Sequence, residues 1–371
     1  MCFRPAILSV VCYLLAPFLV AADKPLVDQL PQGALQSAFQ ILRRDYIRRD
    51  ELTYDALNRA ALQGVLERLN FGAELVPAGG DGPPAAPHVH AEFLAPDIAY
   101  LRPETFSAGE SGLFEKELTG IVAKRARHLI VDLRATKSAG SFDEAARMLE
   151  CFVPAGELIF KLKQTGRDGA ELFISKREPV WSGEVVALID GDTNNAAEAF
   201  AVCLAQRKRT LLIGEPTRGA AVRHTDVKLD DEVILRYASA EMLLPDDSPV
   251  FKKGVTPAIA VSSQKDEKWK AFSGSQREDL KAFVTDRVRP RFNEAALVRS
   301  KNPEIEDYIR RSNGQPLPGD EGQVRDLVTQ RALDLLRSSD FVVQFSLNWS
   351  LPPKLIESAS GTEPKAIPSE P

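Results

Sequence analysis

The residues with the best claim to chemistry lie between Val185 and Val222. The apolar run Val185-Val186-Ala187-Leu188-Ile189 stops at Asp190-Gly191, Thr193-Asn194-Asn195 follows, and Ala196 to Ala205 carries apolar residues at helical spacing. A second apolar run, Leu211-Leu212-Ile213, ends in Gly214-Glu215-Pro216-Thr217-Arg218-Gly219. Strand, tight loop, helix, strand and Gly/Pro loop make a βαβ unit. Its helix aims unpaired backbone N–H groups at the loop after the first strand. Such groups can hold a developing oxyanion, which is the chemistry of acyl transfer. Glu198 falls in the first turn of that helix, where its charge suits the dipole. Arg218, Arg223 and His224 form a basic cluster that could pair with Glu198 or with an acidic or carboxylate-ended peptide.

Other reactive groups give less. Cys203 lies on the apolar face of the predicted helix and reads as a buried thiol. A bridge to Cys151 can be drawn, but the spacing does not demand it. His88 and His90 sit at i and i+2 without a supporting Cys or acidic cluster, so no metal or other cofactor is expected.

The elements that must position these groups follow from periodicity and composition. The chain has 371 residues, 44% hydrophobic and 27% charged, the balance of a globular protein with one large domain or two smaller ones. The net charge of −5 and the absence of a basic stripe argue against a nucleic-acid partner. Residues 1–22, with Arg4, an apolar run from Pro5 to Val20 and small residues before Asp23, read as a secretory signal peptide. That reading implies a periplasmic or secreted protein with no integral membrane span after cleavage. Residues 23–76 read as a helical segment, with amphipathic stripes in 35–42 and 57–69. Residues 77–94 read as a linker by their Gly and Pro content. Alternating strands and helices over 95–262 predict an α/β core. Residues 263–350 read as a charged helical extension, clearest at 323–336, and 351–371 as a disordered tail.

In this order the landmarks resemble the carboxyl-terminal processing, or tail-specific, proteases. These are serine peptidases with a Ser–Lys dyad on a Clp-protease/crotonase-like core. Gly64-Val65-Leu66-Glu67-Arg68-Leu69-Asn70 is similar to the family's Gly-Met-Leu…Leu-Asp-Pro, and Ala99-Tyr100-Leu101-Arg102 to its Gly-Tyr-Ile-Arg strand. Ile130-Val131-Asp132-Leu133-Arg134 resembles Ile-Leu-Asp-Leu-Arg, and Asp143-Glu144-Ala145 with Phe152-Val153-Pro154-Ala155-Gly156 resembles Asp-Glu-Ala…Phe-Leu-Pro-Gly. Ile213-Gly214-Glu215-Pro216-Thr217-Arg218-Gly219 resembles Val-Gly-Glu-Pro-Thr-Phe-Gly, and Gly254-Val255-Thr256-Pro257-Ala258 the closing Gly-Ile-Xaa-Pro-Asp.

The resemblance breaks at the chemistry. Aligned on Glu198, the family's nucleophilic Ser falls on Asn195 and its Lys base on Ala220. A carboxamide has no hydroxyl to deprotonate, and a methyl group cannot take a proton. The family's Gly-Gly, which offers an N–H to the oxyanion, is replaced by Ala135-Thr136-Lys137-Ser138-Ala139-Gly140, where Gly140 keeps part of the turn. The interval from Val76 to Tyr100 is too short for the family's peptide-binding PDZ domain, since a domain needs on the order of 50 residues. The expectation is a catalytically inactive pseudopeptidase that binds a peptide or protein partner. Thr193, Ala196, Glu198, Thr217, Arg218 and Gly140 would form the residual or peptide-binding site. Two alternatives remain: an active hydrolase with a relocated nucleophile at Ser138, Ser141 or Thr193 and His224 as base, or a crotonase-like acyl-binding enzyme, which a secretory leader disfavours. The residues name neither the partner nor an oligomeric state.

Overall fold

The computed structural model describes residues 26–79, 86–136, 140–263, 265–276, 279–284, 303–312 and 324–337. The leader expected at 1–22, the tail expected at 351–371 and Ser138 lie outside the described residues. The chain divides into two compact units, Met1–Arg68 and Leu69–Pro371. The first realises the two amphipathic stripes as helices α1 (Gln32–Asp45) and α2 (Tyr54–Leu69), with Thr53 Oγ1 accepting from Ala56 N at 3.1 Å to start α2. No described helix is long and apolar enough to cross a membrane.

The second unit is built on two sheets. The larger has the order β11-β8-β7-β4-β3-β2. Its strands β3 (Ile98–Pro103), β4 (His128–Asp132), β7 (Glu184–Ile189), β8 (Thr210–Gly214) and β11 (Ile259–Ala260) pair in parallel, and β2 (Val89–Ala95) closes the edge antiparallel to β3. The apolar runs of β4, β7 and β8 have no polar alternation because both faces are covered. Leu129, Val131, Val185, Ala187, Ile189 and Leu212 face one core with helices α3 (Glu110–Ala123), α4 (Phe142–Leu149) and α5 (Asn195–Ala205). Ile130, Val186, Leu188, Leu211 and Ile213 face the other, where the C-terminal helices α7 (Lys281–Val284) and α9 (Leu327–Arg337) supply Val284, Val328, Ala332 and Leu333. The extension therefore wraps the core and completes its second face. Two further helices, α6 (Lys265–Gly274) and α8 (Pro303–Ser312), belong to the same stretch.

The smaller sheet is antiparallel: β1 (Ala73–Pro77), β10 (Val233–Leu243), β5 (Leu158–Gln164) and β6 (Glu171–Ile174) in that order, with β9 (Val222–Lys228) on β10. Two expectations need correcting here. The segment read as helical to residue 76 ends in β1. The stretch read as a linker over 77–94 contains most of β2, whose Val89, Ala91 and Phe93 pack on the core while His90 and Glu92 alternate with them. That period of two was legible, but the Gly and Pro residues before it dominated the reading. Strand β10 is bent by a bulge between Ala238 and Ala240. Cys151 and Cys203 are free, buried thiols, and burial pushes Cys151 up to about 12. His88 and His90 each face a separate glutamate, Glu104 and Glu92.

Candidate functional site

The turn from β7 into α5 is fixed from both ends. Every side chain from Ala196 to Leu204 is buried. Phe200 meets the rings of Phe106, Phe114 and Phe152 edge-on at centroid distances of 5.9, 6.0 and 6.1 Å, which anchors the helix. Ahead of it, Asp190 Oδ1 accepts from Asp192 N at 2.9 Å, and Thr193 Oγ1 accepts from Asp190 N at 3.1 Å. Asn195 opens the helix at φ +45°, a left-handed conformation that costs asparagine less than most side chains. Asn194, the N-cap, sends its amide to Asp192 O at 2.8 Å, and Asn195 Nδ2 donates to Asn194 Oδ1 at 3.0 Å. Among the described residues, the Asn194 side chain makes no cap bond to the helix it precedes.

Glu198 ties this turn to the loop after β8. It is fully buried and accepts from the Thr217 hydroxyl, from Gly219 N at 2.6 Å and from Ala220 N at 2.5 Å. Thr217 Oγ1 in turn accepts from Val255 N at 2.9 Å, and Arg218 N donates to Thr193 O at 3.3 Å. Burial pushes Glu198 up to about 7, against the pull of Thr217 and of the Gly219, Ala220 and Ala221 amides. Glu198 lies one helical turn from Asn195, so its grip on Ala220 N holds the backbone of position 220 against the first turn of α5. The loop after β4 arrives there too. Gly140 has φ +62°, and a Cβ on it would sit 2.6 Å from Phe106 Cβ and 3.1 Å from Ala196 Cβ.

The β7–α5 turn with Thr193, Asn195, Ala196 and Glu198, the loop with Thr217 and Ala220, and Gly140 are linked by these contacts. The basic cluster does not pair with Glu198. Arg218 is exposed with its guanidinium 5.9 Å from the Phe71 ring centroid, Arg223 pairs with Glu171 at 2.8 Å, and His224 Nε2 lies 3.1 Å from Phe71 O. Glu198 took backbone donors because the loop delivers them to a site too buried for a solvated guanidinium.

The described hydroxyls considered as relocated nucleophiles hold the backbone. Thr193 is fully buried and donates to Leu133 O at 3.2 Å. Ser141 is the N-cap of α4, accepting from Asp143 N at 3.2 Å. Ser141→Ala is expected to cost about 1 kcal/mol in urea unfolding and to leave reactivity toward serine-directed probes unchanged.

Sequence separation hid one residue at this turn. Lys268, from α6, is buried and donates to Asp190 Oδ2 at 2.7 Å, Asp192 Oδ2 at 2.8 Å and Arg134 O at 3.1 Å. By sequence the nearest lysine was Lys228, which is exposed and paired with Asp231. All three donors of Lys268 have acceptors, two of them carboxylates, so it serves as a structural cation beneath the turn.

Residues 97–261 match the family described as Peptidase family S41. Carboxy-terminal processing protease CtpA of Bacillus subtilis is 26% identical over 171 residues, 46% of this chain and 36% of that protein. Carboxyl-terminal-processing peptidase 2, chloroplastic, of Arabidopsis thaliana is 27% identical over 196 residues, 51% of this chain and 36% of its own length. The chain thus spans little more than a third of the length of these curated relatives. Among solved structures, the photosystem II D1 C-terminal processing protease aligns over 44% of this chain and 42% of its own at 22% identity, with a TM-score of 0.38.

Proposed function

Because residues 97–261 are a peptidase family S41 domain, with the Clp-protease/crotonase-like α/β core of that family, we propose that this chain is a disarmed member: a pseudopeptidase that holds a peptide or protein partner at the old site without cutting it. The observation carrying this reading is the Glu198 clamp, which keeps the turn and the loop together while the two positions it joins are Asn195 and Ala220. Asn195 cannot supply an attacking oxygen and Ala220 cannot take a proton. Losing the nucleophile or base of a comparable hydrolase costs roughly 10⁶ in turnover, and an oxyanion site alone keeps about 10³–10⁴ over water. Asn194 and Asn195, the half-buried residues at the head of α5, supply the partner's polar contacts. The leader-like residues 1–22 support placing the protein in the periplasm or outside the cell.

A fluorophosphonate probe and a casein assay on the purified chain test the reading. No labelling and no cleavage are expected. Labelling at one hydroxyl, abolished by its alanine variant, would establish an active enzyme with a relocated nucleophile. The double variant Asn195→Ser with Ala220→Lys is expected to gain slow labelling at position 195, since the clamp already joins the two positions.

A further inference from the structure

Helices α1 and α2 have no core of their own. They are 14 and 16 residues long, lengths at which an isolated helix is marginal in water and depends on packing its apolar face. Yet none of their residues is buried. The ties within this unit lie at its surface, where Arg68 pairs with Asp28 at 2.5 Å and the Arg43 guanidinium stands 3.7 Å from the centroid of the Tyr54 ring. Contacts of this kind in solvent add little. Six large apolar side chains, each 41–51% exposed, form two short seams. Phe39 and Leu42 of α1, with Tyr46 at its C-cap, stand at i, i+3 and i+7, and so do Leu62, Val65 and Leu69 of α2. Alternating steps of three and four residues are those of a helix packed on other helices in a bundle.

We infer that these seams are covered by a second copy of the chain, the two helical pairs meeting about a two-fold axis as a four-helix bundle. A specific interface takes about 800 Å² from each partner, somewhat over half of it apolar. Six half-exposed side chains of this size offer on the order of 500 Å², which meets that need. Charge permits the pairing. Six arginines between Leu26 and Arg68 are balanced by six Asp and Glu residues, so the unit is neutral in a chain of net charge −5 and does not repel its copy. A copy also brings the same seams, the match that an interface with two-fold symmetry requires. The inference stands whatever the candidate site does.

Sedimentation velocity on the full chain at micromolar concentrations tests it. A reversible monomer–dimer equilibrium is expected, with helical circular dichroism falling on dilution as α1 and α2 lose their cover. Leu42→Glu and Val65→Glu each place a charge in one seam. Both are expected to raise the dissociation constant at least about tenfold, because an apolar contact cannot solvate the carboxylate. Both side chains are exposed in the single chain, so neither substitution touches its core, and each decides the matter if the other misfolds. Gln40→Glu adds the same charge to α1 away from the seam and should leave the equilibrium unchanged. A chain that stays monomeric overturns the proposal, as does a dimer that both seam variants leave intact or that Gln40→Glu weakens equally. So does a dimer that forms only when residues 1–22 are removed, since the apolar run from Pro5 to Val20 would then be the occupant.

Discussion

Arg134→Met is expected to destabilise the protein by about 3–5 kcal/mol at neutral pH, the cost of stranding a buried charge by removing its partner. Arg134 is fully buried, and its guanidinium is shared between two carboxylates. Nε and Nη2 donate to Asp132 at 2.9 and 2.6 Å, while Nη1 and Nη2 donate to Asp326 at 3.0 and 2.7 Å. Tyr100 Oη adds a bond to Asp132 at 2.7 Å, and Thr329 Oγ1 one to Asp326 at 2.7 Å. The cluster joins β3, β4 and the start of α9, so its loss should loosen the C-terminal helices first. Burial pushes Asp326 up, but the Arg134 charge and the bonds from Arg134 and Thr329 outweigh it and hold the carboxyl below its usual value of 3.8. A carboxyl depressed on folding stabilises at pH values above its unfolded range, and that contribution fades as pH falls through the folded value. Without Arg134 the sign reverses: a buried, unpaired carboxylate takes up a proton on folding, so the variant loses stability as pH rises. Urea unfolding at about pH 5 and pH 8 should therefore show the larger deficit at pH 8, and the thermal midpoint should fall on the order of 10 °C. Asp326→Asn in the same background should recover part of it. A deficit below about 1 kcal/mol, independent of pH, would sink this account.

Glu198→Ala should cost about 3 kcal/mol at about pH 5, because it leaves the Thr217 hydroxyl and the Gly219 and Ala220 amides buried without an acceptor. The effect should also depend on pH. Glu198 rises from 4.5 to about 7 on folding, with burial the largest cause. A group raised on folding contributes fully below its unfolded value, and the contribution is lost as pH climbs through the folded value. The gap between wild type and Glu198→Ala should thus narrow between about pH 5 and pH 8, by up to about 3 kcal/mol for a shift of this size. Paired denaturation curves across that range check it, and a gap that widens with pH would show that the amide donors, not burial, set the protonation state. Proteolysis of the Thr217–Ala220 loop should increase in the variant, since Glu198 is its main anchor to α5.

Much of the site could be read directly from residue types. The buried-strand, turn, helix and Gly/Pro-loop order of 185–219 placed Asn195, Glu198, Thr217 and Ala220 together because a βαβ crossover leaves few other arrangements. The chain's order of motifs indicated the family, and periodicity located β7, α5, β8 and the helices α1, α2 and α9. The partner of Glu198 was not legible: charge alone favoured Arg218, Arg223 or His224, and only the folded loop revealed that backbone amides reach the carboxylate first. Lys268 and Asp326 lie far from the turn and the β4 end they support, and no local pattern distinguishes a lysine or aspartate destined for burial from one on a solvated face. The chemical identities at positions 195 and 220, and hence what those groups cannot do, were determined by the sequence alone. Which charges were drawn into the interior was decided by tertiary packing, because burial and partner geometry arise only when distant segments meet.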